Sequence, residues 1–407
     1  MATTLIKNVG KLVTYSPGDN AMQIFPKVEI VIQDGKIAAI GTGLYSPEQM
    51  VADANGGLVT PGFVDAHTHP VFVGQRADEF EQRILGKTYQ EIAASGGGIV
   101  RSRQQIQAAS DKELKRQVRR HLRRFLRFGT TTIEAKSGYG LSVEDELRSL
   151  RILQAVAKQL PLTVLPTFLG AHAYPPEYRT NHQAYLDLII HQMLPAVVEN
   201  GLACFCDIFC EEGAFSVEES RQVLTAAKAL GLGIRIHADE FKAIGALQLA
   251  QEYGAMSADH LTAITQEGIE ALVEGRIVPV LLPGTSFFLG KGHYAPAREL
   301  LNRGLPVAIA SDFNPGSCMI QSMPLIMSIA CLQMKMTSLE ALQAATYNAA
   351  LSLGIQDKVG ALQPGYYADL LIWQFDDYRA IPYYCGIPAI AQVWKKGRLV
   401  ARLPNTI

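Results

Sequence analysis

The sequence lacks the features that mark disulfide-rich, membrane-spanning and strongly charged proteins. Its 407 residues include only six cysteines, too few for a disulfide scaffold, so we expect reduced thiols. No apolar run approaches the ~20 residues that span a bilayer, and the first residues, MATTLIK, lack the pattern of a signal peptide. With 37 basic and 38 acidic residues, the net charge of −1 gives no overall attraction to nucleic acid or anionic membranes. We therefore expect a cytoplasmic globular protein without nucleic-acid or membrane partners.

Strand-like hydrophobic patterns occur near both ends of the chain, and the middle of the chain has a different pattern. Alternating apolar residues in Lys27–Ile32 and Ile37–Ile40 flank an Asp34-Gly35 turn, which is a strong hairpin signal. The strand-like segments near the other end are Ala368–Trp373, Ile390–Trp394 and, after a turn at Lys396-Gly397, Arg398–Val400. Neither group is long enough to close a core alone. We predict one small β-sandwich domain built from residues 1–57 and 356–407.

Residues 58–355 repeat one plan, in which short β-branched runs alternate with amphipathic helical stretches, as in βα units around a parallel sheet. The eight runs end near His69, Lys136, His172, Glu211, His237, His260, Thr285 and Asp312. Eight repeats predict an α/β fold, a TIM-like (β/α)8 barrel, with its active site at the carboxyl ends of the strands. An open doubly wound sheet is the competing architecture. It is disfavoured because no G-x-G-x-x-G motif follows the first strand.

The ends of these runs include a set of side chains that suits a metal ion. His67 and His69 end the first run, and residues two positions apart on a strand point to the same face. His237 ends the fifth run and Asp312 ends the eighth. Three imidazoles and one carboxylate on converging strand ends predict a metal site with room for a water.

These motifs, in this order along the chain, resemble the amidohydrolase superfamily. The segment PGFVDAHTH, which ends at His69, is followed by His237, His260 and Asp312. More narrowly, the sequence resembles the imidazolonepropionase family over nearly its whole length, in the segments FVGQRADEFEQRILGKTYQEIAASGGG, EAKSGYG, FLGAH, HADE and DFNPG. The resemblance implies hydrolysis of the cyclic amide 4-imidazolone-5-propanoate to N-formimidoyl-L-glutamate in histidine degradation. It also implies one divalent or trivalent metal, zinc or iron, per subunit.

We expect one metal rather than two. Dinuclear members of the superfamily use a carboxylated lysine on the fourth strand as a bridge, and the fourth run, Ala203–Glu211, contains no lysine. Lys136 ends the second run, which is the wrong strand for that role. A single metal lowers the pKa of its water from ~15.7 towards about 7.

That water then needs a proton acceptor. Glu240, which follows His237 closely, is expected to take the proton and pass it to the leaving nitrogen. His260 is expected to hydrogen-bond the attacking hydroxide or polarise the carbonyl, and Asp312 can share the proton transfer. The sequence leaves open whether Glu240 or His260 is the main proton shuttle.

The resemblance also implies the substrate contacts. Arg76 is the expected partner of the substrate carboxylate, because a guanidinium binds carboxylates in a bidentate way. Tyr139 and His172 lie just past the second and third runs and match the family's ring- and carboxylate-binding residues. The other expected substrate-binding residues are Glu240, Asn314, Gly316 and Ser317.

Two other functions remain open on the sequence alone. A mononuclear aminohydrolase of a heterocyclic base, such as a guanine or cytosine deaminase, shares the ligand set and a His-x-x-Glu motif. The ten basic and two acidic residues between Arg101 and Arg127 suggest a nucleic-acid-binding helix, but they interleave with an apolar stripe. That stripe consists of Leu114, Val118, Leu122 and Phe125. We expect a solvated outer helix there, and a homodimer, which is the commonest assembly for an enzyme.

Overall fold

The computed structural model describes residues 3–44, 49–88, 91–92 and 96–404. Two eight-stranded sheets organise this part of the chain. The strands are β1 (Thr3–Ser16), β2 (Ala21–Gln33), β3 (Lys36–Gly41), β4 (Gln49–Asp53), β5 (Leu58–Pro61), β6 (Phe63–Asp65), β7 (Thr130–Lys136), β8 (Thr163–Ala171), β9 (Phe205–Cys210), β10 (Gly233–Ala238), β11 (Ser257–His260), β12 (Val278–Leu281), β13 (Ala308–Ile309), β14 (Leu370–Trp373), β15 (Ile390–Lys395) and β16 (Arg398–Arg402).

Helices connect the strands of the second sheet and cover its outer face. The α-helices described span Ala77–Ile84, Gly98–Ala108, Asp111–Arg127, Val143–Ala157, His182–Leu188, Leu194–Glu199, Val217–Ala229, Ala246–Tyr253, Gln266–Gly275, Pro283–Phe288, Ala297–Asn302, Met323–Met334, Ser338–Ala344, Tyr347–Leu351 and Ala380–Tyr383. A 3-10 turn covers Pro176–Tyr178 and a π-helical turn covers Ile189–Met193. Within the described residues, none of the helices has both the length and the apolar character needed to cross a bilayer.

The first sheet is built from both ends of the chain, in the order β16-β15-β14-β5-β1-β2-β3, with β4 paired to β1. The predicted hairpin is confirmed: β2 and β3 are antiparallel, and both turn residues, Asp34 and Gly35, have positive φ. Strand β5, which follows the boundary predicted at residue 58, pairs with β14 in this sheet. Buried aliphatic side chains such as Ile6, Leu12 and Ile30 form its core.

The second sheet is an eight-stranded parallel barrel, so the prediction of a (β/α)8 fold is confirmed and the open doubly wound alternative is wrong. Its order runs without interruption from β6 to β13. Residues just beyond these two strands close the barrel through a parallel bridge between Thr68 and Phe313. The Asp312 N–H donates to the His67 carbonyl at 3.0 Å, and the His69 N–H donates to the Phe313 carbonyl at 2.8 Å.

Two strand ends differ from the sequence prediction. The seventh run was expected to end near Thr285, but β12 ends at Leu281 and Thr285 lies in the helix Pro283–Phe288. Pro283 at the first helical position favours this early stop, because its ring fixes a helical φ and it has no N–H to donate to a ladder. At the first strand, His67 and His69 follow the end of β6 and lie in the extended segment that closes the barrel.

The basic helix Asp111–Arg127 packs on the outside of the barrel. The Ser110 side chain caps it by accepting the Glu113 N–H. The predicted apolar stripe is buried. The exposed basic side chains on the other face are Lys112, Lys115, Arg116, Arg120, Arg123 and Arg127. The helix therefore has the two faces that its sequence pattern predicts.

Candidate metal centre and active site

A small cavity at the carboxyl ends of the barrel strands collects almost all of the predicted site residues. Its volume is about 50 Å³. The predicted residues that line it are His69, Arg76, Tyr139, His172, His237, Glu240, His260, Asp312, Asn314 and Ser317. His67 contacts His69 at its base, and Gly316 lies against Arg76. Residues that are up to about 250 positions apart in the sequence therefore meet at one point of the fold.

Three buried imidazoles converge at the base of the cavity. Ligand atoms of His67, His69 and His237 all lie within 4.8 Å of one another. The Nε2 atoms of His67 and His69 are 3.2 Å apart. The Asp312 Oδ1 atom lies 3.5 Å from the first of these nitrogens and 3.4 Å from the second. The three predicted histidine ligands therefore form one compact group, and the predicted carboxylate ligand, Asp312, lies against two of them.

Each of two ligand rings is oriented by a carboxylate that the sequence analysis did not single out. His67 Nδ1 lies 2.6 Å from Asp259 Oδ2, and His237 Nδ1 lies 3.0 Å from Asp207 Oδ2. A carboxylate on Nδ1 turns the opposite ring nitrogen, Nε2, towards the centre, as in many metal sites. Both carboxylates are fully buried on barrel strands.

The donor set fits a single metal ion. Burial holds the pKa values of His67 and His69 well below the usual range, so both rings are neutral, as metal ligands must be. Burial also acts against protonation of His237, but Asp207 overcomes it and raises the pKa of that ring. The Thr285 hydroxyl donates to Asp312 Oδ2 at 2.5 Å, which leaves Oδ1 facing the histidines. Three nitrogens and one oxygen suit zinc or iron.

The predicted proton-transfer groups lie beside this cluster. Glu240 Oε2 is 3.7 Å from His260 Nδ1, and Glu240 Oε1 is 3.5 Å from Lys291 Nζ. Burial raises the pKa of Glu240 to about 7, although Lys291 opposes the shift. Burial lowers the pKa of His260 to about 3, so this imidazole is neutral. A carboxyl group with a pKa near neutrality can both accept and return a proton.

Arg76 is buried at the wall of the cavity and held in place by its neighbours. Its Nε atom lies 3.1 Å from Glu79 Oε2, and Nη1 donates to Ser102 Oγ at 3.4 Å. Its guanidinium occupies the space where a side chain at Gly316 would be. Only a glycine at residue 316 leaves the guanidinium in this position.

The polar groups of the loop that follows β13 form hydrogen bonds with one another. The Asn314 Oδ1 atom accepts the N–H groups of Gly316 and Ser317 at 2.8 and 2.7 Å. Its Nδ2 atom donates to the Asp312 carbonyl at 2.7 Å and to Ser317 Oγ at 2.8 Å. The N–H groups of Gly316 and Ser317 are therefore bonded within the loop, and Asn314 fixes the loop's shape.

Tyr139 and His172 lie side by side in the cavity lining, with their ring centroids 5.3 Å apart. The ring of His172 stacks on His69, with centroids 5.3 Å apart, and its Nδ1 lies 2.8 Å from the Gly138 carbonyl oxygen. The turn that carries Tyr139 is held by Glu146, a buried residue that the sequence analysis missed. Its Oε1 accepts the N–H groups of Gly140 at 2.7 Å and Leu141 at 2.9 Å.

Comparison with known proteins identifies relatives over nearly the full length of the chain. Residues 58–400 match the Amidohydrolase family. A protein named imidazolonepropionase from Symbiobacterium thermophilum is 46% identical over 410 residues, which cover 97% of this chain and 96% of the relative. Another of the same name, from Fusobacterium nucleatum subsp. nucleatum, is 42% identical and covers 98% and 99%.

Solved structures with the same fold are more distant in sequence. A 5-methylcytosine deaminase from Klebsiella pneumoniae, liganded with 5-fluorocytosine, has a TM-score of 0.77 at 18% identity and covers 98% of both chains. A guanine deaminase from C. acetobutylicum has a TM-score of 0.76 at 16% identity and covers 98% of this chain and all of the other. At this level of identity the likeness concerns the fold alone.

Proposed function

The chain belongs to the amidohydrolase family and, within it, to the imidazolonepropionases, and from this premise we propose that it opens the ring of 4-imidazolone-5-propanoate to give N-formimidoyl-L-glutamate. The reaction is hydrolysis of a carbon–nitrogen bond in a cyclic amide, a step of histidine degradation. The observation that carries the proposal is the likeness of 41–46% over nearly the whole chain to relatives of that name.

We assign one zinc or iron ion to His67, His69, His237 and Asp312. When bound, such an ion supplies a Lewis acid that polarises the amide carbonyl and makes water nucleophilic near neutral pH. The support is the convergence of three neutral or carboxylate-paired imidazoles on one carboxylate oxygen. Asp259 and Asp207 hold two of these rings in the orientation that the ion requires.

Glu240 is the proposed proton shuttle. Its carboxylate takes a proton from the attacking water and delivers it to the ring nitrogen as the carbon–nitrogen bond breaks, so that the carboxylate is restored at the end of the cycle. Its pKa of about 7 suits both transfers. His260, which is neutral and lies beside it, hydrogen-bonds the attacking water or the carbonyl oxygen. Asp312 shares the proton transfer as a secondary route.

The substrate is proposed to lie between Arg76 on one side and Tyr139 and His172 on the other. The Arg76 guanidinium pairs with the propionate, and burial strengthens that pairing because water competes less for the charge. The aromatic rings of Tyr139 and His172 face the imidazolone ring. Gly316 gives Arg76 its space, and Asn314 and Ser317 complete the wall.

We further infer that the protein works in the cytoplasm as a homodimer, without nucleic-acid or membrane partners. The support for the compartment is the state of the cysteines, all six of which are free thiols. The support for the dimer is the general prevalence of two-fold symmetric assemblies among enzymes.

Turnover of freshly generated 4-imidazolone-5-propanoate tests the function directly. We expect loss of the ring's absorbance and formation of N-formimidoyl-L-glutamate without release of ammonia. The comparison substrate in the same assay is an aminated heterocycle such as guanine or cytosine. Stoichiometric ammonia from such a base, with no opening of the imidazolone, would identify an aminohydrolase instead.

A further inference from the structure

Five charged side chains are buried inside the barrel, directly beneath the three histidines. They come from strands β7, β9, β10 and β11 and comprise Glu134, Lys136, Asp207, Arg235 and Asp259. None of the five is exposed to solvent. Charges are taken out of water at a high cost unless they are paired, so an arrangement of this kind needs a specific set of partners.

Lys136 lies at the centre of this cluster. Its Nζ atom is 2.6 Å from Asp207 Oδ2 and 2.9 Å from Glu134 Oε1. It is also 3.9 Å from Asp259 Oδ2. One ammonium group therefore contacts three carboxylates from three different strands.

Each of these carboxylates reaches the segment or the ring of a histidine ligand. The Asp207 oxygen that binds Lys136 is the same atom that faces His237 Nδ1, at 3.0 Å. The corresponding oxygen of Asp259 faces His67 Nδ1 at 2.6 Å. Glu134 contacts the backbone between His67 and His69. Through these three carboxylates, Lys136 is linked to all three histidine ligands.

That third link is a backbone contact. Glu134 Oε2 accepts the N–H of Thr68, the residue between His67 and His69, at 3.2 Å. The Thr68 hydroxyl donates to the Glu134 carbonyl at 2.6 Å, which adds a second bond between the same two residues. The position of Glu134 therefore sets the position of the segment that carries two ligands.

The other buried cation does not duplicate this role. Arg235 donates to Asp259 Oδ2 at 3.1 Å and to the Ala66 carbonyl at 2.8 Å. Among the described residues, neither Asp207 nor Glu134 forms an ion pair with any lysine or arginine besides Lys136. Without Lys136, neither carboxylate would keep a direct ion pair with a lysine or arginine, although Arg235 still acts on both from a longer distance.

We propose that Lys136 is a positioning residue of the metal centre, which holds Asp207, Glu134 and Asp259 where they orient the histidine ligands. The inference rests on the proposed metal site and goes beyond it, since Lys136 does not line the cavity and, among the described residues, its ammonium pairs with carboxylates outside the ligand set. Removing the ammonium should free the Asp207 carboxylate first, because that contact is the shortest. The ring of His237 should then lose its fixed orientation.

Lys136→Met tests the proposal, and Lys395→Met is its matched control. Lys395 is also a buried lysine with one carboxylate partner, Asp369 at 2.5 Å, but this pair lies in the sheet built from the chain ends. Zinc affinity is measured by competition with a chromophoric chelator, the absorption of bound Co²⁺ reports ligand geometry, and thermal unfolding reports stability. We expect both variants to lose stability. Only Lys136→Met should lose zinc affinity, by about 10- to 100-fold, and change the Co²⁺ spectrum.

A double variant, Lys136→Met with Glu134→Gln, separates positioning from charge balance. It removes one cation and one anion, and glutamine keeps an oxygen that can accept the Thr68 N–H. We expect stability to recover while zinc affinity stays low. If Lys136→Met alone does not fold, the double variant tests the inference in its place. Wild-type zinc affinity in either variant would overturn the inference alone. A wild-type protein that binds neither zinc nor iron would overturn the proposed metal centre and the inference with it.

Discussion

The guanidinium of Arg76 crosses directly over Gly316, with its Nη2 atom 1.5 Å from the point that a β-carbon at residue 316 would occupy. Gly316→Ala should therefore displace Arg76 without touching the metal ligands. Losing a well-placed contact to a charged group costs ~1.5–3 kcal/mol, so we expect KM to rise about tenfold or more while metal content stays constant. Gly18→Ala, at a position with open space around it, is the control. An unchanged KM would show that Arg76 does not bind the substrate.

Metal binding and substrate binding should separate in two single variants. His237→Ala removes one nitrogen donor of the cluster and should abolish both bound metal and turnover. Arg76→Ala should keep the metal and lose most of kcat/KM. Elemental analysis of the purified proteins, alongside turnover, checks both. Metal loss in Arg76→Ala would contradict this division of roles.

Turnover should fall as the pH falls through about 7, because Glu240 must be ionised to accept a proton and burial raises its pKa to about that value. Lys291 lowers this pKa, so Lys291→Met should move the acid limb of the pH–rate profile to higher pH. Glu240→Gln should lose that limb together with most of the activity. The measurement is kcat/KM across the neutral range.

Lys242→Met is the control for the pH experiment. Lys242 is close in sequence to Glu240, but it is exposed and pairs with Glu212 at 2.9 Å. Its removal should leave the acid limb in place. An acid limb that does not move in Lys291→Met would assign the titration to a group other than Glu240.

Glu146 should matter for substrate binding although it lies beneath the cavity wall. It accepts the N–H groups of Gly138, Gly140 and Leu141, which fold the turn that carries Tyr139. In Glu146→Gln an amide NH₂ faces one of these donors, so we expect KM to rise about tenfold with the metal content unchanged. Glu144→Gln, an exposed change in the same helix, should have no effect on KM. A fall in kcat at constant KM would contradict a role through Tyr139.

The convergence of the strand-end residues could be predicted because the strand order of a barrel fixes where the strand ends lie. Once the runs are recognised as parallel strands, His67, His237 and Asp312 must meet at one rim. The exact end of the seventh strand could not be predicted, since Leu282 continues the apolar run beyond Leu281 and a helix begins at Pro283.

The buried ion pairs beneath the metal centre were missed for a physical reason. Charged residues within an apolar run usually mark its exposed side, whereas here they pair with one another inside the barrel. A signal was present, because Glu134 and Lys136, like Arg235 and His237, are two positions apart and share the inward face of a strand. That signal cannot say which charges pair, since pairing depends on contacts between strands.

The sheet built from both chain ends has a consequence for biosynthesis. Strand β5 pairs with β1 early in the chain, but its other edge pairs with β14, where Thr60 lies opposite Leu371. During synthesis on the ribosome this edge stays unpaired until the whole barrel and strand β14 have been translated. Open strand edges recruit other chains. A nascent chain released before β14 is made should therefore aggregate even if its barrel has already folded.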